Sequence, residues 1–231
     1  MRAARINAAP LFLSILFDIS KPPMGTPPPV SDMGSALASF VSKVRAENPG
    51  AQIAFTEVAG AAVPAVKFGA PPEDLDKAIS RLFVGQHSEA TMLEGLLDTA
   101  KTLAGQSAMR KVILLVDFGS HDATRTATAN EALKAIQNAV ATVWSVSIRP
   151  GNAPSSRREA AVKAAVESTG GLRLTAVSVT GLKSLLETTA DSLSSQYLVT
   201  FARDGSAPIS IDDVRVESKK GHKVLVTSLM R

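Results

Sequence analysis

The sequence predicts an α/β fold: a doubly wound, mostly parallel sheet with one antiparallel edge strand and helices on both faces, followed by a small C-terminal antiparallel β extension. Three observations predict it. Two stretches, Leu11–Ser20 (LFLSILFDIS) and Lys111–Gly119 (KVILLVDFG), are apolar on both faces and each runs into an aspartate. A strand with no polar face belongs in the middle of a sheet covered by helices on each side. Around them, short apolar runs alternate with segments whose apolar residues recur at helical spacing, the pattern of βαβ units with right-handed crossovers. The tail instead alternates apolar and polar residues, as antiparallel strands with one wet face do.

Bulk properties set the frame. At 231 residues and 45% hydrophobic composition the chain suits one sizeable core. Residues 1–202 read as the α/β domain and 203–231 as the extension packed on it. The net charge of +4 comes from 25 basic and 21 acidic residues, with no basic run longer than the pairs Arg157-Arg158 and Lys219-Lys220. With 4% aromatics there is little to stack on bases, and without a basic stripe the sequence argues against a nucleic-acid role. The lack of cysteine removes disulfides, thiolate metal sites and cysteine nucleophiles. No run approaches the roughly 20 apolar residues of a membrane-spanning helix. The start, MRAARINAAPLFLSILF, imitates a secretory signal. Its apolar stretch runs straight into Asp18 and a proline-rich loop without a small-residue cleavage site, so it reads as a buried strand.

After that first strand, Lys21–Val30 (KPPMGTPPPV) carries too many prolines for regular structure and is a loop over the strand end. Ser31 or Asp32 caps a helix through about Glu47, with Met33, Leu37, Phe40, Val41 and Val44 on one face and Asn48-Pro49-Gly50 as its stop. Ile53–Val58 and Val63–Phe68 form a hairpin around Gly60, and Pro64 favours the sheet edge. Pro71-Pro72-Glu73-Asp74 opens a helix carrying Leu75, Ile79 and Leu82. A polar loop over residues 85–90 precedes a helix opened by Thr91, with Leu93, Leu96, Leu97, Ala100 and Leu103 inward. The Lys111–Asp117 strand is followed by a loop, a helix through about Asn138 and a strand at Ala141–Ile148. Arg157–Ser168 is an alanine-rich helix closed by Gly170-Gly171, Leu172–Leu174 a short strand, and Thr180–Ser195 a helix with Leu182, Leu185, Leu186 and Leu193 buried. Strands at Gln196–Ala202, Val214–Glu217 and Lys223–Leu229 complete the extension on the sheet edge.

Open α/β sheets bind ligands outside the C-terminal ends of their strands. That rule gathers Asp18 and Ser20 after the first strand, Asp117 after the second buried one, and Thr91 at a helix start. Carboxylates and hydroxyls are hard oxygen ligands and suit Mg²⁺ (or Mn²⁺ or Ca²⁺) rather than zinc or copper. Each residue also has a plainer use. Asp18 and Ser20 serve as turn caps, Thr91 as an N-cap and Asp117 as a turn residue. Their coincidence at four expected places argues for a site of some kind. His87 and His121, in the flanking loops, read as solvated, and Trp144 and Phe201 as packing residues.

Four pieces in order resemble the von Willebrand factor type A (VWA) domain, whose sheet is Rossmann-like. They are a strand ending Asp18-Ile19-Ser20, a helix opening Thr91-Met92-Leu93-Glu94-Gly95-Leu96, a strand ending Val116-Asp117-Phe118-Gly119, and a helix ending Ser168-Thr169-Gly170-Gly171. The segment SSQYLVTF is similar to a bacterial subgroup of VWA-related proteins. The resemblance implies a metal-ion-dependent adhesion site in which an Asp-x-Ser-x-Ser motif, a threonine and an aspartate hold a divalent cation, partly through water. An acidic side chain of a protein partner then completes the coordination. By position the metal ligands would be Asp18, Ser20, Thr91 and Asp117. The sequence departs from the motif at Pro22, which stands where the second serine would be, and Lys21 lies beside it.

Enzyme motifs are missing. No G-x-G-x-x-G follows the first strand, and no P-loop, G-x-S-x-G elbow or H-E-x-x-H pair occurs. An aspartate-dependent phosphotransferase or hydrolase would place a second aspartate where Ser20 stands. The sequence therefore points to a non-enzymatic module that binds a protein partner at the strand ends. Its alternative is a scaffold of the same fold with an inactive metal site.

Overall fold

The computed structural model describes residues 2–5, 9–21, 30–83, 89–124, 128–149 and 157–200, together with Glu217 and Val224. A short strand, Arg2–Arg5 (β1), precedes the long apolar strand Leu11–Asp18 (β2). Helix Val30–Glu47 (α1) leads into the hairpin of Gln52–Val58 (β3) and Ala62–Val66 (β4), then helix Pro72–Ser80 (α2). The two-residue strand Glu89–Ala90 (β5) abuts helix Met92–Ala104 (α3), strand Arg110–Asp117 (β6) and a second two-residue strand, His121–Asp122 (β7). Helix Ala129–Ala139 (α4), strand Thr142–Ile148 (β8), helix Arg157–Thr169 (α5) and strand Arg173–Ala176 (β9) follow. A 3₁₀ turn at Val179–Gly181 runs into helix Leu182–Ser194 (α6) and strand Tyr197–Thr200 (β10).

Six strands form one sheet in the order β4-β3-β2-β6-β8-β9. All neighbours are parallel except β4, which lies antiparallel on the edge beside β3. The edge place suits Pro64, whose missing N–H would break a ladder in the interior. The two double-faced apolar strands, β2 and β6, sit side by side at the centre, with Phe17 opposite Val116.

The period of two along β2 divides the core. Leu11, Leu13, Ile15 and Phe17 point to a layer built by α1, α2 and α6, where they meet Met33, Leu37, Phe40, Leu75 and Leu186. Leu16 points to the other face, where α3, α4 and α5 bring Leu93, Leu96, Ile136 and Val166 against Ile113, Leu115 and Val143. The alanine-rich face of α5, with Ala161 and Ala165 buried, lets that helix lie close to the sheet. Its stop is sharp: Gly170 takes φ 66°, the left-handed cap that glycine adopts at least cost. At the start of α4, Thr128 and Glu131 form a reciprocal capping box.

Two features differ from the sequence expectation. The loops after residues 85 and 118 meet as a two-strand parallel pair, β5 with β7, too short to leave a period in the sequence. Strand β10 pairs antiparallel with β1 in a separate two-strand sheet instead of extending the main sheet. Alternation marks a strand as half-buried but does not name its neighbour. The strands expected at Val214–Glu217 and Lys223–Leu229 lie outside the described residues apart from Glu217 and Val224, as does most of the proline-rich loop. Among the described residues, no helix is long and apolar enough to cross a membrane.

Candidate functional site

Because β2 and β6 are parallel neighbours, their C-terminal ends carry Asp18 and Asp117 to the same edge of the sheet. Each carboxylate first serves its own chain. Asp18 Oδ1 accepts a hydrogen bond from the Ser20 N–H at 2.9 Å, and Asp117 Oδ1 accepts one from the Gly119 N–H at 2.8 Å. These are Asx turns that reverse the chain after a strand. Ser20 Oγ donates to the Glu89 carbonyl at 2.7 Å, tying the turn after β2 to the segment ahead of α3. Two residues on, the Thr91 N–H and Oγ1 both donate to the Ala59 carbonyl, at 2.7 and 3.1 Å. Thr91 precedes α3 but makes no side-chain cap to it. All four residues expected from sequence are thus at one end of the sheet, and all four are buried.

Five further residues complete the cluster. Ser120 Oγ donates to Asp18 Oδ2 at 2.6 Å and accepts from Arg158 Nη1 at 3.3 Å. Arg158 Nη2 donates to Asp117 Oδ1 at 3.0 Å and to the Ser120 carbonyl at 2.7 Å. Asp117 Oδ2 accepts from Arg149 Nη2 at 3.1 Å. Glu159 takes the other amino group of Arg149 and also accepts from Arg173 Nη2 at 2.6 Å. Arg158 is 1% exposed, so its charge sits in the protein interior.

Desolvation costs are high for such groups, and their partners decide whether they stay charged. Burial, followed by the nearby Asp117 charge, raises the pKa of Asp18 above the usual carboxylate value, with bonds from Ser120 and Ser20 and the Arg158 charge working against it. For Glu159, burial pushes upward, but hydrogen bonds and charge from Arg173 and Arg149 win and hold it below its usual value.

The fold family implies a divalent cation here, and the residues as arranged do not fit one. Asp117 already has a guanidinium on each oxygen. Asp18 has both oxygens engaged by hydroxyl and backbone donors. Pro22 supplies no side-chain oxygen at the third motif position. A cation added beside Arg158 would meet a like charge at low dielectric.

Sequence reasoning found the four oxygen-bearing residues and missed Ser120, Arg149, Arg158, Glu159 and Arg173. One signal was present. Arg157-Arg158 stands in the first turn of α5, where the helix dipole disfavours positive charge. A buried arginine there requires anionic compensation from outside the helix, and Asp117 supplies it.

No protein-family model and no curated protein sequence matches this chain. Solved structures do. Proximal thread matrix protein 1 from the mussel byssus aligns with a TM-score of 0.64 and 15% identity, over 84% of this chain and 48% of that one. A further structure of the mussel protein has its metal-ion-dependent adhesion motif occupied by zinc. A von Willebrand factor type A protein from Catenulispora acidiphila aligns with a TM-score of 0.57 and 18% identity, over 80% and 43% of the two chains. The pilus adhesin SpaC from Lactobacillus rhamnosus GG gives a TM-score of 0.58 and 10% identity, over 81% and 30%. This chain thus spans about half the length of the mussel protein and less of the other two. By its strand order, its two helical layers and these matches, the chain has the fold of a von Willebrand factor type A domain.

Proposed function

We propose that this chain is a VWA-type protein-binding module that engages its partner at the C-terminal ends of the strands, without a divalent cation. The observation that carries this reading is the cross-bracing of that edge. The turns after β2 and β6, the segment ahead of α3 and the start of α5 are tied together by Ser20, Ser120 and Arg158. Loops fixed in this way present a preorganised surface, which lowers the ordering cost of binding. Lys21 and His121 are exposed on these same turns and supply polar rim groups. The adhesin and the byssal matrix protein of the same fold are consistent with a binding or scaffolding role.

Cation-dependent binding, with Asp18, Ser20, Thr91 and Asp117 as ligands of Mg²⁺, Mn²⁺ or Ca²⁺, is the competing reading. The zinc-occupied motif of the mussel protein favours it, and the guanidiniums on Asp117 oppose it. An enzyme with an aspartate nucleophile finds less support, since Asp18 is fully buried with both oxygens hydrogen-bonded.

The absence of cysteine makes the test direct. A maleimide photo-crosslinker is placed on Lys21→Cys or His121→Cys and, as a control on the exposed side of α5, on Lys163→Cys. Each labelled chain is irradiated in extract of the source cells with and without EDTA. Discrete adducts from the strand-end positions, unchanged by EDTA and missing from the Lys163 control, are expected. Equal labelling from Lys163 would reject the face, and loss of adducts in EDTA would restore the cation.

A further inference from the structure

The cluster at the strand ends has its positive charge built into the chain. We propose that the Arg158 guanidinium takes the place of the divalent cation, closing a latent metal site formed by Asp18, Ser20, Thr91 and Asp117. The inference concerns the charge of the site itself and stands whether or not a partner binds at this edge.

Position is the first argument. Arg158 reaches both buried carboxylates from one point, Asp117 directly and Asp18 through the Ser120 hydroxyl, which accepts from the guanidinium and donates to the carboxylate. A cation shared between two strand-end aspartates would occupy the same relation to them.

Charge balance is the second. Among the described residues, Arg149, Arg158 and Arg173 face Asp117, Glu159 and Asp18, so three guanidiniums already stand among three carboxylates. A divalent ion added to that set would leave a buried excess of two positive charges, which a low-dielectric interior strongly disfavours. With Arg158 removed, the deficit reappears between Asp18 and Asp117.

The third argument is that the arginine is held against local preference. It lies in the first turn of α5, where the helix dipole repels it, is almost fully buried, and finds no hydrogen-bond acceptor for its Nε–H among the described residues. Among the described residues, Asp117 and Ser120 at the end of β6 compensate these costs directly, and Asp18 at the end of β2 does so through the Ser120 hydroxyl. Pro22, at the position of the missing motif serine, removes an oxygen that a metal would need and a guanidinium does not.

The experiment is a titration of the full chain with Mn²⁺, read by loss of the free-ion electron paramagnetic resonance signal. Wild type, Arg158→Gln and the double variant Arg158→Gln with Asp117→Asn are compared. Wild type is expected to take up no Mn²⁺ at this site. Arg158→Gln is expected to bind one ion with a dissociation constant on the order of 0.1–1 mM, the range of weak oxygen-ligand sites, and Asp117→Asn to weaken that binding about tenfold or more. Should Arg158→Gln fail to fold without metal, recovery of its circular dichroism by Mn²⁺ supports the proposal and no recovery overturns it. It is also overturned by a folded Arg158→Gln that binds no Mn²⁺, or by Asp117-dependent uptake in wild type.

Discussion

Arg110 Nη1 donates to Asn48 Oδ1 at 2.7 Å, joining two side chains 62 residues apart at the end of the sheet opposite the candidate site. The same guanidinium donates to the Leu193 carbonyl at 2.7 Å and to Gln196 Oε1 at 3.1 Å, so it ties the ends of α1 and α6 to the start of β6. Burial lowers its pKa to about 10, which leaves it charged at neutral pH. No carboxylate among the described residues forms an ion pair with it; neutral oxygens carry its solvation.

Replacing that guanidinium strands several buried acceptors at once. Arg110→Met is therefore expected to destabilise the domain by about 2–4 kcal/mol, as a buried hydrogen-bonded charge does when its partners are left behind. Urea unfolding midpoints measure the loss. A change below about 0.5 kcal/mol, the scatter of ordinary surface substitutions, would show that the clamp is ornamental.

Arg158 and Asp117 should be coupled. Arg158→Gln leaves Asp117 buried without its inner partner, and Asp117→Asn leaves Arg158 likewise. In a double-mutant cycle the combined loss is expected to fall short of the sum of the single losses by about 1–3 kcal/mol, the range for groups in direct contact. Strict additivity would mean that the 3.0 Å contact carries no energy.

Glu159 gives a pH dependence of definite sign. Its folded-state pKa is held below the ordinary value of 4.5, so its stabilising contribution is present above that pH and is lost as the pH falls through the folded pKa. The melting temperature of wild type should exceed that of Glu159→Gln at neutral pH, and the gap should close as the solution is acidified below 4.5. A gap that stays constant or widens with acid would refute the assignment.

Gly171 has no room for a side chain. A Cβ there would lie 1.8 Å from the Val143 carbonyl oxygen, a backbone atom that cannot turn aside. Gly171→Ala is expected to cost about 3 kcal/mol or more, against under about 1 kcal/mol for Gly50→Ala, where a Cβ meets nothing within 4 Å. Chemical denaturation of the two variants side by side decides it.

Chelation is the simplest measurement. With a guanidinium as its cation, the domain should melt at the same temperature in EDTA and in millimolar Mg²⁺, whereas a ligand bound only to the native state would raise the melting point with its concentration.

The sequence by itself determined the central strands, the helix that each loop leads into, the edge place of Pro64 and the meeting of Asp18, Ser20, Thr91 and Asp117 at one end of the sheet. All of these follow from local rules: apolar period, proline and glycine chemistry, and the constraint that parallel strands end together. Tertiary structure alone decided which charges face those oxygens. Arg158 lies 41 residues beyond Asp117 and Ser120 lies 102 beyond Asp18. No periodicity records contacts of that kind, because an ion pair depends on where two helix and strand ends are brought, and on which rotamers burial leaves open. The pairing of β10 with β1 was hidden for the same reason, since a strand's alternation reports which face is buried and not which backbone lies beside it.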